Sequence, residues 1–222
     1  MTTVDVAICG AGGTGLEVLD MLELLDGGRR RYRCVGFLDD RLAEGASVGP
    51  VTVLGPLSSA AGMKGLRFVD ALGSPAHFRQ RQSSLSRSGI DPETFLTLIH
   101  PQASVSPRAA IGPGCLVFSH VVVGAGARLG AHVTVLPLSV IHHDAEVGDW
   151  SIIASHVGVS GRARIGMSCY LGTGAQIIHD GSVGDGALVG MGAIVRHPVP
   201  AGVTVAGNPA VPLPPKGRGD GA

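Results

Sequence analysis

Net charge is what this sequence most plainly lacks: 17 lysines and arginines balance 17 aspartates and glutamates over 222 residues. Without an overall field to hold nucleic acid or an anionic membrane surface, partners must be recognised locally. Met1 to Cys9 has neither a basic start nor a long apolar run, and no other stretch approaches the roughly 18 to 20 apolar residues of a membrane span. A cytoplasmic protein with neither nucleic acid nor membrane as partner is therefore expected. Metal-ligand spacing is missing too. Cys9, Cys34, Cys115 and Cys169 are scattered without a CxxC pair, which predicts core-filling thiols and no metal.

Aromatic residues are also scarce, at 4%, while glycine reaches 35 residues. That combination means disorder, collagen or a tightly turning repeat, and a period decides among them. Reading in steps of six from Ile99 gives Val105, Ile111, Val117, Val123, Leu129, Val135, Ile141, Val147, Ile153, Val159, Ile165, Leu171, Ile177, Val183, Val189 and Val195. All seventeen positions are Ile, Val or Leu, a run whose chance occurrence is about one in a million. A small residue often comes four places after the aliphatic, as at Ala109, Cys115, Ala145 and Ala163. Glycine often follows the aliphatic directly, as at Gly112, Gly130 and Gly148. An α-helix repeats its apolar stripe at three and four, so this period excludes it. It predicts a parallel β-helix in which each hexad forms a short strand and a turn, and three hexads form one triangular coil of 18 residues. Glycine is expected to relieve strain in the turns.

The first third reads differently. Val4 to Cys9 is a candidate buried strand, followed by Gly10-Ala11-Gly12-Gly13-Thr14-Gly15 and a helical apolar pattern through Leu16, Leu19, Leu22 and Leu25. Strand, glycine turn and helix start are the parts that cradle phosphate on main-chain N–H groups. A second strand, Tyr32 to Leu38, runs into Asp39-Asp40, about where a dinucleotide-binding domain carries its ribose-binding acid. Strands over Val51 to Leu54 and Leu66 to Leu72 and a helix over Ala76 to Arg87 complete the pattern. This is an α/β, Rossmann-like unit, but it ends near residue 98, at about half of a full dinucleotide fold, which argues against NAD. The expected division is 1–98, 99–213 and a disordered tail at 214–222.

The repeats resemble the hexapeptide-repeat acyltransferases, and the whole chain resembles the NeuD-like sugar O- and N-acetyltransferases. The matching stretches are Gly10 to Gly15, Gly36-Phe37-Leu38-Asp39-Asp40, Val53-Leu54-Gly55, Ala71-Leu72-Gly73, Ile99-His100-Pro101, the hexads and the closing Gly207-Asn208-Pro209-Ala210. The resemblance implies a left-handed β-helix, a homotrimer with active sites between neighbouring prisms, and transfer of an acetyl group from acetyl-CoA. The implied acceptor is a sugar, either a nucleotide-linked amino sugar or, alternatively, a free sugar such as sialic acid acylated on oxygen. Carried over residue by residue, it points to Gly12, Gly13, Thr14, Asp39, Asp40 and Gly73 for the nucleotide sugar. In Ile141-His142-His143-Asp144-Ala145-Glu146-Val147-Gly148 it assigns His143 as general base and Asp144 as the acid that supports it. Along the coenzyme groove it points to Thr173, Met191 and Ile152, the last a departure because relatives commonly carry histidine there.

Coil arithmetic adds to this. One coil beyond His143 is Gly161, whose amide falls where the family polarises a thioester, and His179 and His197 continue the same column. Asp39 and Asp40 could instead simply end a strand. Two rival functions are carried beside acyl transfer. A β-helical zinc carbonic anhydrase would use His120 and His156, but it finds Gly161 at its third ligand place. A catalytically dead sugar-binding scaffold would have no need of His143-Asp144.

Overall fold

The computed structural model describes residues 3–28 and 31–214. The expected tail lies, apart from Pro214, outside the described residues. Strand β1, Val4–Cys9, ends in four buried residues and pairs on both sides, which is why Val6 to Cys9 read as a continuous apolar run. Helix α1, Gly13–Asp26, buries Gly15, Val18, Leu19, Met21 and Leu22, a spacing that faces one side of a helix to the sheet. It stops at Gly27, which takes the left-handed conformation while its N–H donates to Glu23 O. Strand β2 is Tyr32–Leu38, followed by β3, Ser47–Val48, β4, Val51–Gly55, and β5, Arg67–Asp70. The sheet order is β3-β4-β2-β1-β5, parallel except for the β3–β4 hairpin.

Two boundaries differ from the sequence reading. The last strand stops at Asp70 because its Oδ1 accepts the Leu72 N–H and turns the chain. The helix expected from Ala76 starts later. His77 and Phe78 both donate main-chain N–H to Ser74 O, a 3-10 turn covers Phe78–Gln80, and α2 runs only over Arg81–Arg87.

From Leu98 onward the chain winds in coils of 18 residues. Val122 pairs with Val140, Val140 with Gly158 and Gly158 with Gln176, all parallel. Three sheets result, of six, five and eight strands. We call them the first face, carrying Val140–Ile141, the second, carrying Glu146–Val147, and the third, carrying Ile152–Ile153. From Val117 to Val195 every sixth-place aliphatic is buried, joined by Cys115, Ala127, Ala145, Ala163, Cys169 and Ala175 at the corners. The thiols of Cys115 and Cys169 are pushed up to about 11, chiefly by burial.

The ends of the prism depart from the pattern. Ile99 is 36% exposed and Val105 and Ile111 are only half-buried, because no earlier coil covers them. Beyond Val195, where the spacing breaks, the core continues through Val199 and Val205. Thr204–Ala206 pairs with Leu188–Val189, and Val211–Pro212 closes the sheet antiparallel.

The glycines divide between two tasks: Gly114, Gly126, Gly174, Gly186 and Gly192 take left-handed backbone at the turns, as expected, and those after the aliphatic do something else. Every sixth residue from Gly114 to Gly192 has φ between +49 and +73°, and nine of these are not glycine. The glycine that follows the aliphatic is not among them. At Gly148 an added Cβ would lie 2.6 Å from the Gly166 carbonyl carbon, one coil along. Glycine is needed there for the closeness of stacked coils, not for backbone freedom. Gly148→Ala should therefore destabilise the protein by about 3 kcal/mol. Gly192→Asn, at a left-handed position with open space around it, should cost under about 1 kcal/mol, since Asn tolerates that conformation. Thermal unfolding of both variants checks the contrast.

Candidate functional site

The amino-terminal unit rests on the third face. Leu98, Leu116, Phe118 and Leu136 share a cluster with Val6, Ile8 and Phe37, while Phe78 packs on Tyr170 at 5.7 Å between ring centroids. Outside this cluster, Arg79 donates to Gly186 O at 2.8 Å. A buried polar group completes the joint. Asp70 Oδ2 lies 2.9 Å from Arg81 Nη2 and 3.0 Å from His132 Nδ1, and His132 stacks on Trp150 at 3.9 Å. Sequence reasoning missed this cluster. Coil arithmetic stacks His132 and Trp150, which are 18 residues apart, but nothing in the sequence marks Asp70 or Arg81 as their partners.

The predicted acceptor residues fall into two groups. Gly12 caps α1 with no side-chain cap, Gly13 opens it, and a Cβ at either would meet nothing within 4 Å. Their surroundings are open, as a loop presenting amides to a ligand requires. Asp39, Asp40 and Gly73 instead line a cavity of about 300 Å³ formed by the segments after β2 and β5, together with Ser74 and Arg81. Thr14, in the first turn of α1, is half-buried and is not in that cavity wall.

Asp39 has a structural task in addition to any binding role. It is 5% exposed, and its Oδ2 accepts the Ala11 N–H at 3.0 Å while Oδ1 accepts the Arg41 N–H at 2.8 Å. The carboxylate thus ties the glycine loop to the end of β2. Asp40, which is exposed, accepts the Leu57 N–H through Oδ1 at 2.8 Å.

His143 and Asp144 sit on the corner between the first and second faces. Asp144 is one of the left-handed corner residues, with φ of +58°. That conformation brings its Oδ2 to 2.9 Å from His143 Nδ1. The other ring nitrogen faces along the prism: a Cβ built on Gly161 would stand 2.6 Å from His143 Nε2 and 2.9 Å from His179 Cε1. Gly161 therefore leaves room for two imidazoles, whose centroids are 5.9 Å apart. At the equivalent place on the next corner, the Ala131 and Met167 amides donate to Asp149 and Asp185 at 2.8 Å. Among the described residues the Gly161 N–H has no such acceptor.

A second His-Asp pair on this corner is differently built. His179 Nε2 is 3.6 Å from Asp180 Oδ2, and both Asp180 oxygens accept from Arg162 at 2.8 Å, which holds that carboxyl below its usual range. Among the described residues no arginine hydrogen-bonds Asp144, and at 2.9 Å against 3.6 Å its dyad with His143 is the tighter one. His142, next in the chain, is exposed and points from a separate hexad place.

Thr173 and Met191 lie one coil apart on a different corner, between the third and first faces, both exposed, Met191 at 78%. Ile152 does not join them. It is 5% exposed beneath the amino-terminal unit, and a Cβ on Gly73 would come 2.5 Å from its Cδ1. Its side chain packs a domain joint and offers no surface to a coenzyme.

Asp39→Ala should remove the acceptor of two main-chain N–H groups and destabilise the fold by about 1 to 3 kcal/mol. Asp40→Ala, which frees one amide where Asp39→Ala frees two, should cost less. Parallel denaturant unfolding of the two variants measures the difference.

Comparison with known proteins then places the chain. Residues 126–161 match the family described as bacterial transferase hexapeptide (six repeats). Comparison with curated protein sequences gives no match. Among solved structures, the acetyltransferase domain of PglB from Neisseria gonorrhoeae, in complex with acetyl coenzyme A, is 34% identical. The match covers 96% of this chain and 100% of that one, with a TM-score of 0.82. PerB from Caulobacter crescentus, in complex with CoA and GDP-perosamine, is 25% identical over 96% of this chain and 99% of its own, with a TM-score of 0.81. WeeI from Acinetobacter baumannii is 27% identical over 96% and 100%, with a TM-score of 0.81. With a hexad-built prism, a joined amino-terminal sheet and full-length likeness to the PglB domain, this chain belongs to the NeuD-like sugar acetyltransferases of the hexapeptide-repeat family.

Proposed function

We propose that this protein transfers the acetyl group of acetyl-CoA to the amine of a nucleotide-linked amino sugar, with His143 as general base. The observation that carries the reading is the dyad: Nδ1 of His143 donates to Asp144, which leaves Nε2 as the acceptor facing Gly161. PerB, named as a GDP-perosamine N-acetyltransferase, and the acetyl coenzyme A complex of the PglB domain support an amine acceptor and this donor.

The residues divide the work as follows. The amine attacks the thioester carbonyl, forming C–N, and its proton passes to His143 Nε2. Asp144 stabilises the imidazolium so produced. The Gly161 N–H, without a protein acceptor, donates to the oxyanion as charge develops. When the tetrahedral carbon collapses, C–S breaks, and the proton held by the imidazole neutralises the departing thiolate.

The amino-terminal unit reads as Rossmann-like. Its parallel strands run β4-β2-β1-β5, which is third, second, first and fourth in the chain order of parallel strands. The cavity opens at their carboxyl ends, where such sheets bind nucleotides. It holds the acceptor in this reading, as residues 1–98, and the prism of residues 99–213 does the chemistry as a left-handed helix.

A trimer is supported by the geometry of one chain. The cavity stands over the third face, and the His143 corner is the vertex of the triangle opposite that face. One copy's cavity therefore serves another copy's base. An open groove of about 700 Å³ along the second face, past Arg128, Glu146 and Arg164, borders that corner. Thr173 and Met191, on their separate corner, then meet acetyl-CoA from a neighbouring prism. A cytoplasmic location, where acetyl-CoA is made, fits this assembly.

His143→Ala should lower turnover by about a hundred to ten thousandfold, with solution mass still that of a trimer. Asp144→Asn should fall between it and the parent. Coenzyme A thiol release, measured with a panel of nucleotide amino sugars, reads the effect. His143→Ala retaining more than about a tenth of the activity while His142→Ala abolishes it would move the base to the neighbouring histidine.

A further inference from the structure

The corner that carries the dyad repeats its histidine. His179 stands two coils beyond His143 at the same hexad place, with Gly161 between them, and neither the proton transfer nor the amide donation uses it. The neighbouring corner shows what a side chain in that place touches. Asp149 lies one coil beyond Ala131 and Asp185 one coil beyond Met167, and each carboxylate accepts the main-chain N–H of the earlier residue at 2.8 Å. His179 holds the same relation to Gly161. Its imidazole therefore overlies the Gly161 N–H, and its Cε1 would be 2.9 Å from a Cβ built on that glycine. A thioester oxygen that takes this N–H sits beside the ring of His179.

The acids on this corner give the two histidines opposite roles. Asp144 accepts from His143 Nδ1 at 2.9 Å, which leaves Nε2 as the acceptor of a proton. Asp180 does not do the same for His179, because both of its oxygens accept from Arg162 at 2.8 Å. The 3.6 Å between His179 Nε2 and Asp180 Oδ2 is too long for a hydrogen bond, so the acid does not fix the ring. A half-turn about the Cβ–Cγ bond exchanges Cε1 with Nε2 and brings a nitrogen over Gly161. The side chain is 44% exposed, which leaves space for that turn. A neutral imidazole keeps one N–H to donate, and Arg162 offsets the carboxylate charge that would otherwise repel an oxyanion.

We propose that His179 is a second donor to the thioester oxygen, completing a two-point oxyanion site with the Gly161 amide. This rests on the reading of the corner as the acyl-transfer site. As the C–N bond forms, the carbonyl π pair moves onto oxygen, and the two N–H groups hold that charge. When C–S breaks, the pair returns to the new carbonyl. No proton leaves His179, and the amine proton still passes to His143. Donors aimed at an oxygen whose charge grows act more strongly on the transition state than on bound acetyl-CoA, so turnover carries the effect and coenzyme affinity does not.

Infrared difference spectroscopy of the whole protein with carbonyl-labelled acetyl-CoA, and no acceptor sugar, tests the idea. Binding to the parent should lower the carbonyl stretch relative to water. His179→Phe and His179→Ala, one keeping a ring and one removing it, donate nothing and should each return part of that shift. His179→Gln carries an amide donor and should lie between them and the parent. Turnover with the panel of nucleotide amino sugars should fall about a hundredfold in the Phe and Ala variants, with the acetyl-CoA dissociation constant close to the parent's. A stretch in His179→Phe equal to the parent's, or an unchanged turnover at saturating acetyl-CoA, would overturn the role of His179 and leave Gly161 and the dyad standing. A parent that binds acetyl-CoA without lowering the stretch would remove the donation by Gly161, and this proposal with it. A parent that does not bind acetyl-CoA would remove the acyl-transfer reading itself.

Discussion

Successive coils of the prism are held together by main-chain hydrogen bonds such as Gly124 N–H to Ile141 O at 2.8 Å and Gly130 N–H to Val147 O at 2.8 Å, each reaching 17 places on into the next coil. That closeness leaves no room for a Cβ after the inward aliphatic, and it requires left-handed backbone two places later. The rest of the molecule inherits this constraint. His143, Gly161 and His179 meet because they occupy one hexad place in three consecutive coils, and Gly161 can lie beneath two imidazoles because it has no side chain. The stiffness of a stacked ladder, rather than any flexible loop, positions the dyad.

The amino-terminal unit is fixed to this prism by both apolar packing and one buried polar group. Asp70, Arg81 and His132 are all removed from solvent, and breaking one partner of such a group strands the others. The polar joint also fixes the orientation of the cavity, since Arg81 belongs to both. Gly73 against Ile152 adds a steric stop, with too little space for any side chain between sheet turn and third face. Domain attachment and the shape of the cavity are consequently not separable in this chain.

Much of this was legible in the sequence because the period is short and the packing rule is local. The core positions from Val117 to Val195, the strands Val4–Cys9 and Tyr32–Leu38, and the stacking of Gly161 on His143 all follow from counting. Counting failed where a neighbour not in the column decides the outcome. Ile99 lacks a coil beneath it, Val199 and Val205 extend the core past a two-residue loss of period, and Ile152 is covered by a domain rather than facing a groove. The glycines misled for a related reason. Their abundance suggested turn strain, which holds for Gly114, Gly126, Gly174, Gly186 and Gly192, yet the other left-handed places are held by residues such as His120, Leu138, Trp150 and Arg162, and the glycine after the aliphatic is demanded by the adjacent coil. The Asp70–Arg81–His132 group was illegible because its members are 11 and 62 residues from Asp70 with no periodic relation.

The 18-residue ladder also sets how this chain can change length. Removing a single residue inside it would rotate every later hexad by one place, turning core aliphatics outward and carrying Gly161 out from under His143. Removing a whole coil would keep every column in line and shorten the prism by one step. Extra chain can enter without disturbing the register only as a loop that leaves and returns at one corner, where the outward-facing left-handed residues already meet solvent. Length variation among such prisms should come in whole coils or corner loops, with the dyad and the glycine beneath it one coil apart in all of them.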